Sequence, residues 1–330
     1  MRGHVMAIVH RERGLRHRLG GYREYDSAPR FDGWIEALWT YRAPTALVYT
    51  DASTHRVLPD PAVSVAFCCG RHADGSPRDA RLVVIGPTLR PAIHRYQPGS
   101  EIAAVKLKLE WAAPLLDLVP TDHLDTVHDL AQVHPQLAGR LFDSLVATRT
   151  IEQALDALSA GIVQATHWRR DHASADSAVA FDLVRNTAGR LPIERIAGLT
   201  GVSLRHLRRT ARQDSGIPLK VYARMVRLVQ TVTTIDRLPM GTPIEWARVA
   251  IHAGYCDQPH LIRECRAISG LSPSELIRER RGEVDPDAGT RFTPTAAPAI
   301  CSGSPITTDP GTRHAHRSLP DGADAVSLRE

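Results

Sequence analysis

The sequence predicts an α+β chain of two domains: a β-rich, barrel- or sandwich-like N-terminal domain with trailing helices, then an all-α domain carrying two helix-turn-helix motifs. Three observations carry this prediction. Short runs that alternate apolar with small or polar residues, punctuated by Pro and Gly, occupy the stretch from Trp34 to Leu109. After Trp111 the apolar period lengthens to three and four residues, as on one face of a helix. Between Ile193 and Leu276 one small pattern occurs twice. A length of 330 residues suits two domains.

Residues 1–30 are arginine-rich and are read as an irregular, partly disordered segment. Their one apolar run, Val5 to Val9, is too short for a signal-peptide core, and no run elsewhere approaches the ~18 apolar residues of a membrane span. The expectation is a soluble cytoplasmic protein with no membrane partner.

Residues 31–168 form the β-rich domain. Ala62–Phe67, Arg81–Ile85 and Val105–Leu109 read as strands, the last with Val105, Leu107 and Leu109 inward and Lys106 and Lys108 outward. Leu58-Pro59-Asp60-Pro61, Gly86-Pro87 and Gln97-Pro98-Gly99 mark the turns between them. Several short strands at this spacing suggest a small barrel or sandwich. Leu137, Leu141, Leu145 and Val146, then Ile151, Leu155, Leu158 and Ile162, lay out two amphipathic helices. The polar stretch 169–177 is read as the linker.

Residues 178–282 form the helical domain. A short helix over Val179–Ala188 ends at Gly189, and Pro192 opens the next. The repeated pattern follows. Its first copy places Ala197, Gly201, Ser203 and Leu207 in order, and its second places Ala250, Gly254, Asp257 and Leu261. Each Ala sits where two helices cross closely, and each Gly supplies the positive φ of a tight turn. Ser203 and Asp257 can accept a hydrogen bond from the first turn of the following helix, and each Leu turns into the core. Between the copies, Leu219–Leu238 reads as one helix of about 18 residues, spanning ~27 Å. Its apolar side is Tyr222, Met225, Val226, Val229, Val232 and Ile235. Residues 283–330 are rich in Pro, Gly, Thr and Ala without periodicity and are read as a disordered tail.

The net charge of +5 and a pI near 9.1 favour a polyanionic partner. Arg205, Arg208, Arg209, Arg212, Lys220, Arg224 and Arg227 crowd one segment, opposed mainly by Asp214. The five cysteines are odd in number and lack a C-x-x-C spacing, which argues against a disulfide framework or closed zinc site.

The second copy reads Ala250-Ile251-His252-Ala253-Gly254-Tyr255-Cys256-Asp257-Gln258-Pro259-His260-Leu261, followed by Gly270-Leu271-Ser272-Pro273-Ser274-Glu275-Leu276. With its partner copy, this stretch resembles the double helix-turn-helix DNA-binding domain of the AraC/XylS family of bacterial transcription regulators. Less specifically, Val57-Leu58-Pro59-Asp60, Val84-Ile85-Gly86-Pro87 and the segment Val105–Leu116 resemble a poorly characterised β-rich domain found ahead of such domains.

The resemblance implies sequence-specific binding of double-stranded DNA, RNA polymerase as a partner, and activation favoured over repression. It also implies a sensing or dimerising N-terminal half, hence a small-molecule effector and a homodimer as further expectations. The family's base-contacting positions fall on Arg205, Arg208 and Arg209 in the first recognition helix, with Arg212 assigned to phosphate. In the second they fall on Gln258, Pro259 and Arg263, with His260 close by as a packing or phosphate group. Arg can grip guanine O6 and N7, and Gln can pair with adenine N6 and N7. A connecting helix of ~27 Å would set the two readers close to one duplex turn, ~34 Å, apart.

The sequence departs from the family where Ala211 and Cys265 replace aromatic residues and Ser215 replaces an apolar one. The first hairpin is therefore expected to be the less well packed.

Two other classes compete. A cupin-like metal-dependent enzyme on the β-rich domain would draw on His55, His72 and His94, but no His-x-His with a downstream Glu is present. Cys68-Cys69 reads as buried filler. A nonspecific architectural DNA binder would not need two separate caps and turns. No catalytic residue, metal or cofactor is expected.

Overall fold

The computed structural model describes residues 11–12, 21–27, 33–45, 54–166 and 175–283. The strands are β1 (Arg11–Glu12), β2 (Tyr22–Asp26), β3 (Ile35–Arg42), β4 (Thr54–Val57), β5 (Val63–Arg71), β6 (Pro77–Ile85), β7 (Ala92–Arg95), β8 (Glu101–Leu107) and β9 (Val127–Asp129). The helices of the same half are α1 (Leu109–Leu116), α2 (Leu130–Val133), α3 (Pro135–Val146) and α4 (Ile151–Thr166). The remaining helices are α5 (Ala175–Asn186), α6 (Ile193–Thr200), α7 (Leu204–Ser215), α8 (Leu219–Asp236), α9 (Trp246–His252), α10 (Gln258–Ser269) and α11 (Pro273–Arg280).

Among the described residues, seven strands form one sheet in the order β1-β2-β3-β8-β5-β6-β9, and β4 and β7 form a second, two-stranded sheet. Every pairing is antiparallel. Both faces of the large sheet are covered. Val63, Val65, Phe67, Val105 and Leu107 join the core beneath the helices, while Ala66, Cys68, Ile102, Ala104 and Tyr41 form a separate cluster on the opposite face. Tyr96, just after β7, meets Tyr41 with ring centroids 4.1 Å apart and ties the small sheet to that face.

Covering both faces changes the expected place of the lysines. Lys106 is only 13% exposed and its Nζ lies 2.6 Å from Asp60 Oδ2; Lys108 is 14% exposed and lies 3.2 Å from Asp182. The outward lysines of the sequence reading are thus enclosed by ion pairs: Lys106 because a second layer lies over the face that alternation treats as solvent, and Lys108 because it stands past the strand, at the start of α1, beside α5. Leu109 opens α1 and does not end the strand. Tyr22–Asp26, within the segment expected to be irregular, pairs with β3 as a regular strand. The stretch 169–174 and the tail from residue 284 lie outside the described residues, and α5 already begins at Ala175, inside the segment read as linker.

The helical half follows the expected order, with one change of face on α8. Leu228, not Val229, is buried, and Val229 is 38% exposed. Among the buried residues of α8, Tyr222, Met225, Leu228, Val232 and Ile235 follow the three- and four-residue steps of a single stripe, with Leu219, Ala223 and Thr231 buried beside them. The largest core runs without interruption from the sheet through α1 and α5 into α6, α7 and the first half of α8.

Candidate nucleic-acid interface

Each helix-turn-helix is built by the residues the repeat specifies. In the first, α6 ends at Gly201 with φ 72°, and Ser203 Oγ accepts from the N–H of His206 at 3.2 Å to start α7. In the second, α9 leads to Gly254 with φ 81°, and Asp257 Oδ1 accepts from the N–H of His260 at 2.6 Å to start α10. Pro259 falls in the first turn of α10, where a missing N–H costs nothing. Ala197 and Ala250, at the crossings, and Leu207 and Leu261, turned inward, are all buried.

The far ends of α7 and α10 carry a second repeat that the sequence reading missed. Ser215 Oγ donates to the carbonyl of Ala211 and accepts from the N–H of Ile217. Ser269 Oγ makes the same pair of bonds to Cys265 and Leu271. Gly216 and Gly270 follow, both with positive φ. The matching Ser-Gly pair four residues after Ala211 and Cys265 was the available signal, and the hydroxyl takes the role assigned to an apolar side chain at that position.

The expected looseness of the first hairpin is not found. Ala211 is fully buried because α7 packs against α1, α5 and the 3-10 turn Pro120–His123, so the β-rich half fills the space an aromatic side chain would occupy. Cys265 is buried likewise, and burial pushes its thiol up to about 11, which leaves it a packing group.

The basic run divides into two populations. Arg224 and Arg227 work inside the domain. Arg224 Nε meets Glu264 of α10 at 3.1 Å. Arg227 donates to the carbonyls of Gly189 at 3.2 Å and Gly254 at 3.4 Å, and its guanidinium lies 5.5 Å from the centre of the Tyr255 ring. One side chain of α8 thereby staples the turn before the first unit to the turn inside the second. Asp214 is engaged by the hydroxyl of Ser177 and opposes no arginine of the run.

The α7 arginines face outward. Arg205, Arg208, Arg209 and Arg212 are exposed on the side of α7 opposite Leu207, Ala211 and Ser215. Arg208 lies 3.6 Å from Glu194 across an exposed pair, and Arg209 donates to Gln213 at 3.0 Å. On α10, Pro259 and Arg263 are exposed, while Gln258 and His260 are half-buried. His260 packs edge-on against Tyr255 at 5.3 Å and its Nδ1 accepts from the N–H of Cys256. Arg205, Arg212 and Arg263 make no ion pair among the described residues.

The histidines weighed for an enzyme are dispersed in role. His72 is exposed in the β5–β6 hairpin, whereas His94 is enclosed in the small sheet, opposite His55 in register. Burial lowers the His94 imidazole to about 4. Among the described residues no group of three or more His, Cys, Asp or Glu side chains is disposed to hold a metal ion.

Fold and surface together define a two-domain protein whose β-rich half is joined to a double helix-turn-helix with basic, outward-facing second helices. Residues 23–129, from β2 to the end of β9, match the family model described as "Domain of unknown function (DUF6597)". This domain is known in AraC-like regulators, consistent with the AraC/XylS resemblance of the C-terminal half.

Among solved structures, the chain is similar to the C-terminal domain of AraT, a response regulator from Geobacillus stearothermophilus. The identity is 19% over 36% of this chain and 95% of that one, with a TM-score of 0.29. It is also similar to ToxT from Vibrio cholerae O395, at 8% identity over 70% of this chain and 97% of that one, with a TM-score of 0.38. A ToxT structure bound to unsaturated fatty acid matches at 12% identity over 74% of this chain and 92% of that one, with a TM-score of 0.36. No curated protein matches the chain.

Proposed function

We propose that this protein is a sequence-specific DNA-binding transcription regulator that reads successive major-groove segments through α7 and α10. The observation that carries the reading is the pairing of two capped recognition helices, each presenting exposed Arg on the face opposite its core. Arg205, Arg208 and Arg209, then Gln258, Pro259 and Arg263, are the base-reading set, with Arg212 and His260 toward phosphate. A recognition helix reads bases with its N-terminal turns, which is where Arg205, Gln258 and Pro259 stand.

The regulator acts in the cytoplasm on double-stranded DNA with RNA polymerase as partner, activation being favoured by the family resemblance. No helix among the described residues is long and apolar enough to cross a membrane. The β-rich half, through to α4, is assigned sensing and dimerisation, with a small-molecule effector, and residues 178–282 are assigned DNA binding. The division gives the two halves separate tests.

The direct test is selection of bound sequences from random DNA with the purified full-length chain. Enrichment of two half-sites about one helical turn apart, 10–10.5 base pairs, supports the proposal. Uniform retention of all sequences, with affinity set by salt alone, would replace it with architectural binding.

A further inference from the structure

We infer that Arg56 and Glu110, both in the β-rich half, are positioning residues that fix the separation of the two recognition helices and thereby the half-site spacing the protein accepts. The inference rests on the DNA-reading proposal above.

The β-rich half grips each helix-turn-helix unit separately. At the first unit, α1 lies against α5 and α7, and its Glu110 is completely enclosed. The Glu110 carboxylate accepts from both terminal nitrogens of Arg185 on α5, one at 3.0 Å, and Arg185 also donates to Tyr222 Oη of α8 at 2.9 Å. Lys108, at the start of α1, adds its contact with Asp182 of α5.

At the second unit, β4 provides Arg56, only 4% exposed, whose Nε lies 3.0 Å from both carboxylate oxygens of Glu279 on α11. Its Nη1 reaches the carbonyl of Ser269, the last residue of α10. A cation at that place also suits the negative end of the helix. Leu58, just after β4, packs into the cluster formed by α8, α10 and α11.

The two grips belong to one continuous framework. β4 pairs with β7, Tyr96 stacks on Tyr41 of β3, β3 pairs with β8, and β8 runs into α1. A buried ion cannot leave its partner without losing both attraction and solvation, so each unit is held where its counter-ion stands. Within the helical half, the units are joined by α8 and by the Arg227 staple, which bonds only to carbonyls and a ring face. The brace from Arg56 to Glu110 lies outside that connection and restrains the rotation of one unit against the other. Adding one base pair between half-sites rotates one of them by about 35° about the duplex, which a braced pair of readers cannot follow.

The test compares full-length variants on paired half-sites from the selection above, with spacers lengthened or shortened by one base pair. Arg56→Met/Glu279→Met replaces the ion pair by apolar groups of similar size, an exchange that leaves folding largely intact. Single half-site affinity is expected to stay within about twofold, while the penalty for the wrong spacer falls from about tenfold to threefold or less. An unchanged spacer penalty in the folded variant overturns the inference, as does an equal loss on single and paired half-sites.

If the double variant shows no cooperative unfolding transition and so has not folded, Glu110→Gln carries the same comparison, and an unaltered penalty there overturns it equally. Failure of the wild-type protein to enrich any half-site sinks the DNA-reading proposal itself. Enrichment by the wild type with variants that keep its spacing preference sinks only the role of Arg56 and Glu110.

Discussion

In the first helix-turn-helix unit, Leu207 and Ala211 of α7 lie in the large core that begins in the sheet and ends on α8, whereas in the second Leu261 shares a small cluster with Ala250 and Tyr255. The turns, caps and closing serines of the two units are nearly interchangeable, yet their surroundings are not. One unit is built into the β-rich half; the other stands on α8 and α11 with Arg56 as its main link across. Local geometry is thus a property of the repeat, and support is a property of where each copy falls in the molecule.

The sharpest way to break this comparison is to empty the two equivalent core positions. Leu207→Ala should cost about 4 kcal/mol and Leu261→Ala about 2–3 kcal/mol, because the smaller cluster can collapse around the loss. Urea unfolding of the full chain measures both. Equal costs would show that the shared core lends the first unit no added support.

The turn glycines should differ next. At Gly201 an added Cβ meets open space, so Gly201→Ala carries only the left-handed backbone strain, about 1–2 kcal/mol. At Gly254 it would come 2.9 Å from Arg190 Cγ, so Gly254→Ala should cost about 1 kcal/mol more. Thermal melts of the two variants give the ordering directly, and a reversal would mean that Arg190 yields freely.

On DNA the comparison turns from stability to recognition. Arg209→Ala and Arg263→Ala should each weaken binding to the selected site by about 1–3 kcal/mol while affecting random DNA less. Titration on both DNAs decides this, and equal losses on the two would assign these side chains to phosphate. The caps come next. Ser203→Ala should cost about 1 kcal/mol, and Asp257→Ala slightly more because its carboxylate also meets the positive helix end. Chemical denaturation of the two variants distinguishes them. Smallest is the exposed Arg208–Glu194 pair, for which a double-mutant cycle should return about 0.5 kcal/mol or less.

Much of the helical half was legible in the sequence because its determinants are local. Ala197, Gly201 and Ser203 each act within a few residues of themselves, and a second copy of the same set removes chance as an explanation. The face of α8 was misread at Val229, since Val226 and Val229 resemble core residues in isolation and only the position of α10 and α11 selects Leu228. The strands Ala62–Phe67, Arg81–Ile85 and Val105–Leu107 were visible from alternation, but Lys106 and Lys108 were placed in solvent. Alternation reports side, and it does not report whether that side is covered. The candidate base-reading arginines were visible as a charge run; which of them serve as internal staples was not, because Arg224 and Arg227 differ from their neighbours only in the carbonyls and carboxylate that the fold brings to them.

The amino-acid order alone determined the two halves, the twin turns and caps, and the basic outward faces of the second helices, since each follows from backbone conformation, hydrogen bonding and periodicity over short spans of chain. Only the tertiary structure decided that Ala211 would be fully enclosed, that Arg227 would tie Gly189 to Gly254, and that Arg56 and Glu110 would grip opposite ends of the helical half. Those contacts join residues far apart in the chain, and a buried charge finds its partner only when whole elements have already been brought together.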